Sequence, residues 1–353
     1  MERHAGPVQE GARLSAASAA RIAAALCLSL GLRSVLAADS ASCDRACLNG
    51  IAETYLAAMV AHDPSKAPLA RGVRYTENAV ELPRPAGLWR TVQSVGPYRL
   101  FVTDVPQGSV GFFVKAQENG APLLVATRLQ VVDRQITEIE SNASRLGATI
   151  GGGPSSQPRV DQLGDAPRTQ FVTALPANAR RTREQLATIV NGYFTGIENN
   201  TGDKPPAFAA DCLRLENGSQ TSGRPLAPDA TPGPLNYSCQ QAFGLGYYHE
   251  DTRLRNRRVL AVDVERGLVY TGVYFDHDAS VRSYTLKDGR TVTVRQTAPW
   301  TWGVNEIFQI DASGHISQIE AVLQSVPYGM RPGWRTGVHM ESPQAVRDGF
   351  KEY

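Results

Sequence analysis

Two stretches of this chain set proton-moving side chains beside aromatic ones. Tyr247-Tyr248-His249-Glu250-Asp251 offers two phenols, an imidazole and two carboxyls in succession. The imidazole can move a proton near neutral pH, and a phenol can polarise a substrate oxygen. The second stretch runs from Trp300 to Ile310. A strand alternates with period two, so Trp300, Trp302, Val304, Glu306, Phe308 and Ile310 share a face. Glu306 then stands on an otherwise apolar face, where lost solvation raises a carboxyl group toward a useful acid/base range. The plainer reading pairs Glu306 with an arginine from a neighbouring element, or turns it to solvent. Together these residues suit cofactor-free acid–base chemistry. His249 or Glu306 would be the base and Tyr247 or Tyr248 the hydrogen-bond donor, with Trp300, Trp302, Tyr274 and Phe308 around the substrate.

A third candidate ends a strand, Tyr274-Phe-Asp276-His277-Asp278. Asp276 follows Tyr270, Gly272 and Tyr274 on one face, and His277 follows Val269, Thr271, Val273 and Phe275 on the other. Only one of the pair can therefore reach a given pocket, and no Asp–His dyad follows from their adjacency. A strand-end turn is the simpler reading. His249, Asp251 and His277 lack the spacing of a known ligand motif, so no metal is expected. Arg253-Leu-Arg-Asn-Arg-Arg258 could form a basic mouth for an anionic or phenolate substrate, or a solvated loop. A Gly-x-Ser-x-Gly elbow, a phosphate loop and a dinucleotide fingerprint are all missing, so no cofactor is expected. Lys and Arg number 36 against 34 Asp and Glu, a net charge of +2 that argues against a nucleic-acid partner.

The elements that must carry these residues form a diverged repeat. After Cys43, apolar residues fall at Leu48, Ile51, Ala52, Tyr55, Leu56 and Met59. After Thr182 they fall at Leu186, Ile189, Val190, Tyr193, Phe194 and Ile197, with the same helical spacing. Thr182-Arg-Glu-Gln185 has the form of a capping box and fixes the second helix's start. Tyr75-Thr-Glu77-Asn78 matches Leu215-Glu216-Asn217, a recurrence that suggests a shared structural task. Each half then shows strand-like runs and closes on a hairpin, Asp133 to Glu140 and Asp311 to Glu320. The fold class is α+β, and with 353 residues and 42% hydrophobic content the chain suits about two domains. The expected boundaries are a signal peptide at 1–38, a first domain at 43–145, a linker at 146–180, a second domain at 181–330 and a tail at 331–353. Opposite Glu306 the first half carries Thr127, so the first domain reads as structural and the second as the active one.

Arg21 precedes an apolar run from Ile22 to Leu32 that ends near Val35-Leu36-Ala37, the order of a secretory signal. The run is too short for a permanent span, so no membrane association is expected after its removal. Cys27 would leave with it. Cys43, Cys47, Cys212 and Cys239 remain, and an even count in an exported chain reads as two disulfides with three possible pairings. Proximity favours Cys43–Cys47 and Cys212–Cys239. The expected location is secreted or periplasmic.

In element order, repeated helix and closing hairpin, Cys43–Ser144 and Thr182–Val326 each resemble the nuclear-transport-factor-2-like superfamily, the SnoaL-like or ketosteroid-isomerase-like cone. The resemblance implies two tandem cones, each a helix packed into a curved antiparallel sheet with a pocket at its open end. That superfamily spans isomerases, dehydratases, epoxide hydrolases, cyclases, ether-cleaving enzymes and non-catalytic members, so fold alone does not choose among them. The implied function is a secreted, cofactor-independent lyase or hydrolase acting on a small apolar or aromatic molecule, with cleavage of lignin-derived aryl ethers as the family analogy. The alternative is a non-catalytic hydrophobic-ligand carrier or dimerisation module, the latter working as a homodimer.

Overall fold

The computed structural model describes residues 43–145, 147, 159–203, 205–340 and 342. The expected signal segment lies outside the described residues. From Cys43 onward the chain forms one unit.

The first half opens with helix α1 (Arg45–Val60). Asp44 caps it by accepting from the Cys47 N–H at 2.9 Å, and Leu48, Ala52, Tyr55, Leu56 and Met59 form its buried face. Strands β1 (Leu69–Glu77) and β2 (Val80–Glu81) follow, then a one-turn helix α2 (Leu88–Thr91). Strands β3 (Val92–Asp104), β4 (Ser109–Glu118), β5 (Ala121–Val132) and β6 (Gln135–Arg145) complete a six-stranded sheet in the order β2-β1-β6-β5-β4-β3. All its pairs are antiparallel except β1 with β6.

The expected linker is described from residue 159 onward. It carries a short helix α3 (Thr169–Val172) and buries Leu163 and Phe171 in the core.

The second half repeats the plan. Helix α4 (Arg183–Asn199) starts on the expected capping box, Thr182 with Gln185, and buries Leu186, Val190, Tyr193, Phe194 and Ile197. Strands β7 (Phe208–Glu216) and β8 (Ser219–Gln220) lead to helix α5 (Cys239–Leu245). Strands β9 (Arg253–Asp263) and β10 (Leu268–His277) follow, then a small hairpin of β11 (Ser283–Thr285) and β12 (Thr291–Thr293). Strands β13 (Trp300–Ile310), β14 (Ile316–Val326) and β15 (Val338–His339) close the chain's described part. The sheet order is β15-β9-β10-β13-β14-β7-β8, with β7 and β14 as its parallel pair. It matches the first sheet strand for strand, with β15 added at one edge.

The recurring Glu-Asn pair shows how closely the halves correspond. Asn78 and Asn217 both adopt left-handed backbone, φ +48° and +47°. Asn78 Oδ1 accepts from the Ala143 N–H at 2.8 Å, and Asn217 Oδ1 accepts from the Leu323 N–H at 2.9 Å. Each clamps the end of the first strand to the returning strand of the closing hairpin in its own sheet.

Helix α1 covers one face of its sheet and α4 the same face of the other; the remaining faces pack together. Leu100, Val102, Phe113 and Ala126 meet Leu260, Leu268, Tyr270 and Ile307 there. The contacts are reciprocal, as across a two-fold axis. Arg45 on α1 pairs with Asp263 at 2.5 Å, and Arg183, its counterpart on α4, pairs with Asp104, the counterpart of Asp263. At Gly111 a Cβ would lie 2.2 Å from the Tyr270 ring, so only glycine admits that ring. The tail is anchored where it is described. The Trp334 indole N–H donates to Thr76 Oγ1 at 2.5 Å, and β15 pairs with β9.

The pairings favoured by proximity are the ones present, Cys43–Cys47 and Cys212–Cys239. Two disulfides fit an oxidising, extracellular environment. Among the described residues no helix is long and apolar enough to cross a membrane.

Candidate functional site

Alternation along β13 works as expected. Trp302, Val304 and Phe308 belong to the core under α4, so Glu306 sits on the helix-covered face, opposite Thr271 of β10 and Ala321 of β14. Glu306 is fully buried, and its Oε1 lies 3.4 Å from Arg214 Nη2. Its Oε2 has no hydrogen-bond partner. Burial pushes the Glu306 carboxyl up to about 7, with the Arg214 charge pulling the other way. Both expected readings therefore hold at once: the carboxyl is shifted, and it is paired with an arginine.

Arg214 also pairs with Glu216, two residues along β7 on the same face. Sequence reasoning missed Arg214 and set Glu216 aside as structural. The signal was the period-two pattern Cys212, Arg214, Glu216, which turns both charged groups toward α4 with the disulfide cysteine.

Arg214 and Glu216 form one side of a cavity of about 280 Å³. Three elements build the rest. The Cys212–Cys239 disulfide ties β7 to the start of α5, and α5 delivers Tyr247, Tyr248, Glu250 and Asp251 to the wall. Strands β10 and β13 supply Phe275, His277 and Trp302. The β11–β12 hairpin, which the first half lacks, adds Tyr284 and Val292. The Tyr284 hydroxyl donates to the Tyr247 carbonyl at 2.8 Å and fastens the hairpin to that wall.

Within the cavity His277 Nε2 lies 2.9 Å from Asp251 Oδ1, while Nδ1 faces the Phe275 carbonyl at 3.2 Å. The imidazole stacks on Trp300, centroids 4.0 Å apart and planes inclined by 12°. An Asp–His pair thus exists, formed by Asp251 and not by the adjacent Asp276. Burial and the neighbouring Asp251 raise the Glu250 carboxyl. Burial pushes the Tyr248 phenol up to about 12, with Arg214 opposing, so it stands as a protonated donor.

The other candidates fall elsewhere. His249 is exposed; its ring lies 4.9 Å from Tyr284 and burial lowers its pKa, but it does not line the cavity. In the turn after α5, Tyr248 faces the cavity while His249 is exposed. Asp276 lies on the opposite face of β10, bonded by Arg253, Arg255 and Thr301. Burial would raise its carboxyl, but these partners hold it below the usual range. Tyr274, on that same face, borders a space of about 30 Å³ between the sheets, with Glu140 and Arg258. Phe308 packs in the aromatic core against Tyr193 and Phe194, and Trp300 supports the cavity from behind His277. The arginine run is strand β9, not a loop. Arg253 and Arg255 pair with Asp276, Arg257 with Glu198 and Arg258 with Glu140. No basic mouth results.

Fold and site together define a tandem-repeat α+β protein with a polar–aromatic pocket in its second half. The chain belongs to the family described as Domain of unknown function (DUF8021), whose model matches residues 41–143 and 179–323. The two matched segments agree with the two repeats. No curated protein matches this chain.

Proposed function

We propose that the second half is a cofactor-independent lyase or hydrolase site for a small aromatic molecule, in a secreted protein built from two cones of the nuclear-transport-factor-2-like type. The observation that carries this reading is one cavity that gathers aromatic rings, an Asp–His pair and an arginine shared by two glutamates. Asp251, backed by His277, takes or returns the proton. The Tyr248 hydroxyl donates to a substrate oxygen, and Trp302, Tyr284 and Phe275 hold the ring. Glu306 acts through Arg214 as a positioning residue. An aryl ether, cleaved with protonation of its leaving oxygen, is the substrate type that fits the superfamily analogy.

The test is conversion of a panel of phenolic ethers, epoxides and enones by the purified protein. Asp251→Asn should lower turnover by about two to four orders of magnitude, the range for a lost acid/base group. Unchanged turnover in that variant would remove Asp251 from the chemistry. A specific observation favours a second reading, a non-catalytic carrier: Glu306 presents no accessible surface, and both ring nitrogens of His277 already face oxygen acceptors. Tight binding of panel members without conversion would decide for the carrier.

A further inference from the structure

The cavity's charge is lopsided. Three carboxyl groups line it, Glu216, Glu250 and Asp251, and that of Glu306 stands behind Arg214. Against them are one guanidinium, Arg214, and one imidazole, His277. Arg214 is already shared between Glu216 and Glu306, and His277 is held by Asp251. Glu250 has neither a hydrogen bond nor an ion pair among the described residues, although it lies in the wall. The buried Glu306 Oε2 and Arg214 Nε are likewise without hydrogen-bond partners. With Glu250 ionised the site is net negative, however Glu306 and His277 are protonated.

Several other cations of the second half are committed elsewhere. Arg290 pairs with Asp288 and packs on Tyr237, and Lys287 pairs with Asp203. The β9 arginines belong to Asp276, Glu198 and Glu140. An anionic ligand would meet three carboxyl groups against one guanidinium whose charge Glu216 and Glu306 already share. A cation would meet Glu250 and, in the same cavity, the rings of Tyr248, Tyr284 and Trp302, whose faces attract positive charge.

We infer that the ligand of this pocket carries positive charge: an amine or ammonium group on an aromatic body, the cation seated at Glu250 and the body against Tyr284 and Trp302. The inference rests on the reading that the second-half cavity is a ligand site, and it fixes the ligand class that site takes. Phenolates and aryl carboxylates are excluded by the same charges.

Calorimetric titration of the full chain at pH 7.5 and low salt tests it with matched compounds of two sizes. These are benzylamine, benzyl alcohol and benzoate, and the corresponding naphthylmethyl amine, alcohol and naphthoate. In at least one size the amine should bind tenfold or more tighter than the alcohol, with no measurable binding of the carboxylate. Glu250→Gln removes no hydrogen bond among the described residues. It should erase the amine's advantage over the alcohol. An alcohol or carboxylate binding as tightly as its amine overturns the inference and leaves the pocket reading standing. An amine preference that survives Glu250→Gln also overturns it, because the cation then sits elsewhere. Failure of all six compounds to bind overturns the pocket reading together with the inference.

Discussion

The two halves share helix, strand order and asparagine clamp, yet the segment after the second strand takes a different course in each. In the first half, Glu77 accepts from the Tyr75 hydroxyl at 2.6 Å and from the Leu88 N–H at 2.8 Å, and pairs with Arg145. This pins α2 so that Leu88 and Trp89 are fully buried, Trp89 edge-on to Tyr55 at 5.4 Å. Gly87 makes the turn possible: its φ is +56°, and a Cβ there would lie 2.2 Å from Glu77 Oε2. In the second half the equivalent carboxylate, Glu216, borders the cavity and bonds Arg214. Thr127 bonds Ser141 at 3.0 Å where Glu306 faces Ala321. The same scaffold thus supports a packed core or a pocket, depending on whether the segment after its second strand enters the sheet or lines its rim.

The largest effect expected from that contrast is on the filling residue. Trp89→Ala should cost about 3–5 kcal/mol in denaturant unfolding, as for other buried tryptophans. Trp302→Ala, at a half-buried position on the cavity wall, should cost only about 1–2 kcal/mol. Equal losses would mean that the second half is as closely packed as the first.

The disulfides should also differ. The Cys212–Cys239 bridge spans 27 positions and is worth about 3–4 kcal/mol by loop entropy, against about 2 kcal/mol for Cys43–Cys47, which spans 4. Paired Cys→Ser variants, compared by thermal unfolding, check this order. Losing the longer bridge should also weaken ligand binding, because it holds the wall that carries Tyr248 and Asp251.

A pH series separates Glu306 from Thr127. The folded chain holds the Glu306 proton more tightly than its ordinary value of 4.5 allows, up to about 7. Its contribution is therefore most favourable below about pH 4.5, declines as pH rises through that window and levels off above 7. The loss amounts to about 3 kcal/mol at roughly 1.4 per pH unit. Glu306→Gln should flatten this part of the stability profile. A variant with an unchanged slope would show that Glu306 titrates normally.

The smallest effect belongs to the first-half counterpart. Thr127→Val should cost about 1 kcal/mol for the lost Ser141 hydrogen bond and leave binding untouched.

What the sequence disclosed follows the range over which its signals act. Helix faces, the capping box, strand alternation and the repeat are local patterns, and each appears where the spacing puts it, Glu306 included. The cysteine pairs were legible because their loops are short. Partnerships across the sheet were not. Arg214 meets Glu306 from 92 residues away, and no local period announces such a pair. His277 was legible as turning away from Asp276, but its partner Asp251 comes from another element. Tyr284 sits in a three-residue strand too short to show alternation. The Leu88-Trp89 plug gave no sign of itself, because a one-turn helix has no period and its place depends on Glu77. The arginines of β9 read as solvated until the carboxylates facing them were known, and paired charges can be buried where single ones cannot.

The central claim is that the second half holds the ligand pocket and the first does not. A crystal of the protein soaked with small aromatic compounds, charged and neutral, tests this most directly. Density for a bound ring among Tyr248, Tyr284 and Trp302, with Leu88 and Trp89 undisturbed in the first half, is the predicted result. A ring bound beneath α1 in place of Trp89, with the second-half cavity bare, would contradict it.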